Sequence, residues 1–236
     1  MLYVFDMDGT LTPARKPMTS EFAAFFLDWQ RTHRAFIATG SDYRKVQEQL
    51  PQAVIDSFSG VYCSMGNVLV SKGASIYENQ FEPPEGLLEL LREFREKTEY
   101  LGTLYDNFIE MRPGMINFSV LGRNCPFEAR YEYSAWDAKA RERYACRDRI
   151  LERYPDLEVS VGGSISIDIT PHGCGKGQIA RHIRKSYPEE AIVFFGDRTF
   201  AGGNDFELAQ ALRGMPQTQV VQVEGPESVM AFLQQH

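Results

Sequence analysis

Asp6 and Asp8 lie two residues apart, directly after the apolar run Leu2 to Phe5 and directly before Gly9-Thr10. The run reads as a first β-strand, and residues just past the carboxyl end of such a strand line the ligand crevice of open α/β sheets. Spacing of two brings both carboxylates beside one reaction centre, with Gly9 allowing the tight turn that follows. One carboxylate can attack phosphorus and become an aspartyl phosphate. The other can take a proton from an entering hydroxyl or return it to a leaving one.

Three later segments offer what such a transfer needs. Thr39 and Ser41 supply hydroxyl donors around Gly40, which leaves backbone amides open to a phosphate. Lys176 stands between two glycines at an expected helix start, where its ammonium can neutralise phosphoryl oxygens. Phe194-Phe195-Gly196-Asp197 ends a strand-like run, and Gly202-Gly203-Asn204-Asp205 opens the next helix. Asp197 is placed to complete an oxygen shell for Mg²⁺ with Asp6, because magnesium prefers carboxylates, waters and substrate phosphate to an all-protein cage.

These residues need a scaffold that brings strand ends together. The helix from Thr19-Ser20 to about Arg31 carries Phe22, Phe25, Phe26 and Trp29 at helical spacing, a core stripe. Ala35 to Ala38 reads as a second strand, Tyr43 to Leu50 as a helix, and Val61 to Cys63 and Val68 to Val70 as short strands. This alternation is that of a parallel α/β sheet. After Pro83-Pro84 the pattern changes. Glu85 to Lys97 reads as a helix, and Phe108 to Arg112 and Met115 to Val120 flank Pro113-Gly114 as a hairpin. A charged helix follows from about Glu142 to Arg153, expected as a solvated face, and then Leu157 to Val161 and Ser164 to Ile169 around Gly162-Gly163. From Gly177 the α/β alternation returns. The expected fold is an α/β, Rossmann-like parallel-sheet core formed by residues 1–80 and 173–236. An α+β cap of antiparallel sheet and helices is inserted at 81–172.

Composition narrows the field. A chain of 236 residues suits a large domain or a domain with an insert. Hydrophobic residues at 43% and charged residues at 24% are those of a globular chain, not a disordered one. No apolar run reaches the ~18 residues of a membrane span, and no secretory leader is visible after Met1. The net charge of −7 repels a phosphate backbone, so no nucleic-acid partner is expected. The basic residues are 18 Arg and 7 Lys, a bias that suits bidentate binding of phosphate. Cys63, Cys125, Cys146 and Cys174 form no CxxC pair and read as reduced thiols of a cytoplasmic protein. The four histidines share no spacing that suggests a metal site.

The four segments in their order resemble the motifs of the haloacid dehalogenase superfamily: Asp6-x-Asp8-Gly9-Thr10, Thr39 or Ser41, Lys176, and Gly196-Asp197 with Gly203-Asn204-Asp205. The resemblance implies a required Mg²⁺ bound by Asp6, Asp197 and the backbone carbonyl of Asp8. It also implies Asp6 as nucleophile, Asp8 as general acid/base, Ser41 and Lys176 as phosphoryl ligands, and Thr10, Thr39, Asn204 and Asp205 in support. The insert resembles the large cap of one branch. Its segments Phe108 to Asn117, Gly122-Arg123-Asn124-Cys125, Glu128 to Glu132 and Gly162 to Asp168, with Thr10 to Arg15 and Ser41 to Leu50 of the core, are similar to the eukaryotic-type α-phosphomannomutases. In that family the residues matching Arg112, Arg123 and Arg130 hold the distal phosphate of the substrate. Arg15 matches an arginine at the substrate entrance, and Ser166 and Asp168 match residues that bind the sugar hydroxyls and phosphate region.

The resemblance thus implies interconversion of mannose 6-phosphate and mannose 1-phosphate, started by a hexose 1,6-bisphosphate activator, in a homodimer formed through the cap. Cap closure is expected to exclude water from the aspartyl phosphate. A mutase must hold one phosphate while the other reacts, and bidentate arginines are a strong way to build that second anion site. The rivals are a Mg²⁺-dependent sugar-phosphate phosphatase with the same core and a catalytically idle sugar-phosphate-binding module. Three departures stand out. Thr39-Gly40-Ser41 replaces the family's Gly-Gly-Ser, Gly66-Asn67 reorders its Glu-Asn-Gly loop, and Ala209-Gln210-Ala211-Leu212 lacks an aspartate of its accessory cation site.

Overall fold

The runs at 2–5, 35–38 and 192–195 carry apolar side chains at consecutive positions, the pattern of strands covered on both faces. The computed structural model describes residues 1–14 and 16–235. In chain order they form β1 (Leu2–Phe5), α1 (Ser20–Trp29), β2 (Arg34–Ala38), α2 (Tyr43–Gln49), α3 (Gln52–Ser57), β3 (Gly60–Cys63), β4 (Val68–Ser71) and β5 (Ala74–Glu78). Next come α4 (Leu87–Glu96), β6 (Ile109–Arg112), β7 (Met115–Phe118), α5 (Phe127–Ala140), α6 (Glu142–Arg153), β8 (Leu157–Gly162) and β9 (Ser166–Pro171). The chain then runs through α7 (Gln178–Ser186), β10 (Ile192–Gly196), α8 (Phe206–Arg213), β11 (Thr218–Gln222) and α9 (Pro226–Leu233). It divides into two units, Met1–Asn79 with Cys174–His236, and Gln80–Gly173.

The first unit holds a sheet of strand order β11-β10-β1-β2-β3-β4-β5 among the described residues. Neighbours from β11 to β3 are parallel, and β4 and β5 add an antiparallel hairpin at one edge. Alternate residues of β1 face opposite layers. Tyr3 and Phe5 pack with Phe22, Phe26 and Trp29 of α1 and Val229 and Leu233 of α9. Leu2 and Val4 pack with Ile179 and Ile183 of α7 and Leu208 and Leu212 of α8. The chain leaves β1 toward β2 and β3 on one side and returns to β10 and β11 on the other. The carboxyl end of β1 is therefore the point where strand order reverses, the usual place for a ligand in such sheets. Asp6, Thr39 and Asp197 are each the first residue beyond β1, β2 and β10.

The second unit holds an antiparallel sheet of order β6-β7-β9-β8. Its strands alternate in character, as sheets with one covered face do. Ile116, Phe118, Ile167 and Ile169 join a core with Leu87, Leu91 and Phe94 of α4, Tyr133 of α5 and Ile150 of α6. The register pairs Glu110 with Asn117, Asn117 with Asp168 and Ser160 with Asp168, so these polar residues share the opposite face.

Several elements differ from the sequence expectations. Helix α5 was not expected, because its buried face includes Arg130 and Asp137 beside Ala129 and Tyr133, and buried charges hide the apolar periodicity. Strand β5 was missed because its residues are mostly exposed. Helix α6 is not the expected solvated face: Arg143, Cys146 and Ile150 are buried. None of the described helices is long and apolar enough to cross a membrane.

Candidate active site

In the first unit, the Lys176 ammonium donates to Asp6 Oδ1 at 2.6 Å and to Asp205 Oδ1 at 2.5 Å. All three side chains are almost wholly buried. Position follows from the fold. Asp6 extends β1, with its amide bonded to Phe195 O of β10 at 2.9 Å, Lys176 precedes α7, and Asp205 immediately precedes α8. The second oxygen of Asp205 accepts from the Arg198 amide at 3.2 Å, which ties the loop after β10 to the next helix. Gly9 adopts φ +85°, and a Cβ on it would meet Asp197 Oδ2 at 2.6 Å, so only glycine lets the Asp6–Gly9 turn approach Asp197.

The electrostatics follow from three carboxylates around one ammonium in a dry site. Burial, and then the Asp205 charge, push the Asp6 carboxyl well above the usual aspartate range against the pull of Lys176. Burial and Asp205 likewise push Asp197 up to about 6. Burial disfavours the charge on Lys176, yet Asp205 and Asp6 together carry its pKa upward and keep it an ammonium.

Asp6, Asp197 and Asp205 bring carboxylate oxygens within 4.8 Å of one another. Asp6 Oδ2 and Asp197 Oδ1 are buried without a hydrogen-bond partner, an expensive state for carboxylate oxygens. Clustered, desolvated hard oxygen donors fit a divalent cation such as Mg²⁺. The carboxylates that converge are Asp6, Asp197 and Asp205. Asp205, read from sequence only as a supporting residue, stands in the cluster itself.

Around it, Asp8 is half-buried and accepts from Ser41 Oγ at 3.5 Å. Thr39 Oγ1 accepts from the Ser41 amide at 3.0 Å, shaping the loop after β2. That loop rests on an unusual turn: Ser64 and Met65 have φ of 48° and 61°, and their amides donate to Ser41 O at 2.9 Å and Thr39 O at 3.1 Å. Two consecutive non-glycine residues at positive φ are strained backbone, held here by burial and by those two bonds. Thr10 is fully buried, and Asn204 is half-buried in the turn before α8. Arg15 lies outside the described residues.

The second unit gathers the other set. Arg123 donates to Ser166 Oγ at 2.8 Å and to Asn117 Oδ1, and its Nε lies 2.8 Å from Glu110 Oε2. Arg112 pairs with the same Glu110 oxygen. Asn117 donates to Asp168 Oδ1 at 2.5 Å, and Arg130 reaches Arg123 O at 2.7 Å. Burial pushes the Asp168 carboxyl above its usual range, opposed by Arg112, Asn117 and Arg123. Thus Arg112, Arg123, Ser166 and Asp168 form one hydrogen-bonded and ion-paired group, with Arg130 on its border. Gly122, at φ +88°, brings the chain against Tyr105, where a Cβ would meet the carbonyl oxygen at 1.9 Å, and so orients Arg123.

Sequence reasoning overlooked three contributors. Glu110 and Asn117 stand between the arginines and Asp168. Arg143 is buried with Asp137 at 2.7 Å and donates to Gly162 O and Gly163 O at 3.2 Å, holding the turn that delivers Ser166. Strand alternation would have placed Glu110 on Arg112's face; nothing local marks Arg143.

Comparison with known proteins identifies the family. The family model described as eukaryotic phosphomannomutase matches residues 22–235. A phosphomannomutase of Spinacia oleracea is 35% identical over 238 residues, 98% of this chain and 93% of that one. One of Galdieria sulphuraria is 34% identical, over 99% and 93%. A haloacid dehalogenase-like hydrolase of Bacteroides thetaiotaomicron superposes with a TM-score of 0.62 at 14% identity, covering 99% of this chain and 98% of that chain, a likeness of fold alone. With the family model spanning nearly its whole length and relatives matched end to end, this chain belongs to the eukaryotic phosphomannomutase family.

Proposed function

We propose that this chain interconverts mannose 6-phosphate and mannose 1-phosphate through a phosphoryl group carried on Asp6. The observation that carries the reading is the arginine-rich polar face of the second unit, where Arg112, Arg123, Ser166 and Asp168 are linked through Glu110 and Asn117. A phosphatase needs one anion site, whereas a mutase needs a second for the phosphate that is not reacting.

Asp6 takes its phosphoryl group from a hexose 1,6-bisphosphate activator and passes it to the free hydroxyl of the bound sugar phosphate. Lys176 pins one oxygen of Asp6 and so orients the nucleophile, while Asp205 accepts from the same ammonium and holds it in place. Asp8, reached by the Ser41 hydroxyl, deprotonates the accepting hydroxyl and returns the proton to the leaving oxygen. Asp6 and Asp197, with the backbone carbonyl of Asp8, would hold Mg²⁺, and Asp205 stands beside them. When bound, the cation neutralises phosphoryl charge as that charge redistributes in transfer. Arg112, Arg123 and Arg130 hold the distal phosphate, and Ser166 and Asp168 the sugar. The bisphosphate then reorients, and Asp6 takes back the other phosphoryl group. The reading carries with it residues 1–80 and 173–236 as catalytic core, 81–172 as specificity cap, a cytoplasmic enzyme and a homodimer through the cap.

Phosphorus NMR of purified protein with Mg²⁺, mannose 1-phosphate and a trace of glucose 1,6-bisphosphate tests this. The expected result is equilibration to mannose 6-phosphate with no inorganic phosphate. Inorganic phosphate as the main product would make the chain a phosphatase instead.

A further inference from the structure

Glu110 is an acidic residue in the middle of a site built to hold an anion. One oxygen, Oε2, pairs with both Arg112 Nη2 and Arg123 Nε, so a single carboxylate oxygen bridges two guanidiniums as a phosphate oxygen would. The arrangement is a consequence of register. Glu110 and Arg112 are two residues apart on β6 and share its polar face, while Arg123 arrives from the loop beyond β7. The Glu110 side chain is 24% exposed, against 5% and 8% for the two arginines, so the carboxylate is the member of the group that solvent, and an arriving anion, reaches most directly.

The geometry points to Glu110 as an internal, displaceable stand-in for the distal phosphate, one that tunes how tightly the arginines hold that phosphate. The inference rests on the mutase reading and adds to it a control on exchange. Among described residues, the side chains in this group carry Arg112, Arg123 and Arg130 against Glu110 and Asp168. Removing the Glu110 charge would take away the carboxylate oxygen that both guanidiniums share, so an incoming phosphate would no longer compete with it. Very tight holding does not serve a mutase. The bisphosphate must come off the arginines and turn round once per cycle, and binding that is uniformly stronger lowers KM without raising kcat.

The opposite expectation is that Glu110 is a strut whose loss lets the arginines drift and weakens binding. The structure argues against it. Arg123 stays anchored by Ser166 Oγ, by Asn117 and through its own carbonyl by Arg130. Arg112 is buried on a strand and lies close enough to Asp168 to lower that carboxyl's pKa.

The test measures binding separately from turnover. Mannose 6-phosphate is titrated calorimetrically, with Mg²⁺ present, into Asp6→Asn protein with and without Glu110→Gln, and again with Arg123→Met added to each. Asp6→Asn removes the nucleophile, so the outcome does not depend on the chain being a mutase. Glu110→Gln is expected to tighten binding by about tenfold, the scale of one charge-assisted contact. In the Arg123→Met background that gain should shrink to less than about threefold. In protein with Asp6 intact, Glu110→Gln should lower both KM and kcat, and Glu110→Asp should restore both toward their original values. Unchanged or weaker binding in Glu110→Gln protein whose circular dichroism is native would overturn the proposal, as would an equal gain without Arg123. Phosphate release in place of mutase turnover, with the tenfold gain still present, would sink the mutase reading while leaving Glu110 as the internal anion.

Discussion

Lys176 and Asp6 are 170 residues apart in sequence and 2.6 Å apart in space, with both side chains out of water. The ammonium also holds Asp205, so one cation balances two buried carboxylates. Breaking such a group by removing one partner leaves uncompensated charge, typically worth about 3–5 kcal/mol. Lys176→Met should therefore unfold at markedly lower urea concentration than the parent and lose mutase turnover. A variant with parental urea midpoint would show that the triad contributes little to stability.

Carboxylate repulsion around Asp197 makes the cation a stabiliser. Burial and Asp205 raise Asp197 to about 6, the sign of ionisation opposed by its surroundings. Mg²⁺ at a hundredfold excess over its dissociation constant should stabilise the fold by about 2.7 kcal/mol. Asp197→Asn should abolish most of that gain and, in chelator, should melt no lower than the parent. Thermal unfolding with and without Mg²⁺ reads both effects. Equal Mg²⁺ responses in the two proteins would remove Asp197 from the metal site.

Arg143 holds a turn at a distance from its own helix start. It pairs with buried Asp137 and donates to Gly162 O and Gly163 O, four and three residues before Ser166. Arg143→Met should cost about 3–5 kcal/mol by leaving the buried Asp137 carboxylate without its cation, with only the amide of residue 143 still donating to it. Because Ser166 loses its support while the Asp6 cluster is untouched, KM for the sugar phosphate should rise more than kcat falls. Steady-state kinetics at a temperature where the variant stays folded separates the two.

Asp168 should leave a pH signature in stability. Its folded pKa lies above the unfolded value near 3.8, with burial the leading cause. A raised carboxyl pKa means that the folded state binds the proton more tightly than the unfolded one. Stability is then lost as pH rises from the ordinary aspartate range through the raised folded value, and stays lower above it. Asp168→Asn keeps an oxygen for Asn117 and removes the ionisation. Urea titrations from pH 3.5 to 8 should show the parent losing stability relative to this variant across that window. A constant difference would mean that Asp168 ionises freely.

Much of the core was legible along the chain because its signals are local. Apolar runs long enough for buried strands, each ending in Asp, Thr or Gly-Asp, identify strand ends whatever lies opposite them. Gly9 directly after Asp8 marks a tight turn, though the Asp197 carboxylate that also demands glycine there comes from far along the chain, and the helix caps at Thr19 and Asp42 accept from Phe22 and Lys45 amides three residues on. Helix α5 was illegible because its buried face is partly charged, and charged residues read as solvent-facing until a partner such as Asp137's Arg143 is found.

By itself, then, the sequence determined which residues stand at the strand ends, their order, and the arginine-bearing segments of the insert. Folding alone decided that Asp205 joins Asp6 around Lys176, that Glu110 bridges two arginines, and that Asn117 links Arg123 to Asp168. The reason lies in pairing. Asn117 and Asp168 meet through cross-strand register between segments 51 residues apart. A slip of one residue there would turn every such side chain to the other face, and no local pattern specifies that choice without the apolar face that packs beneath it.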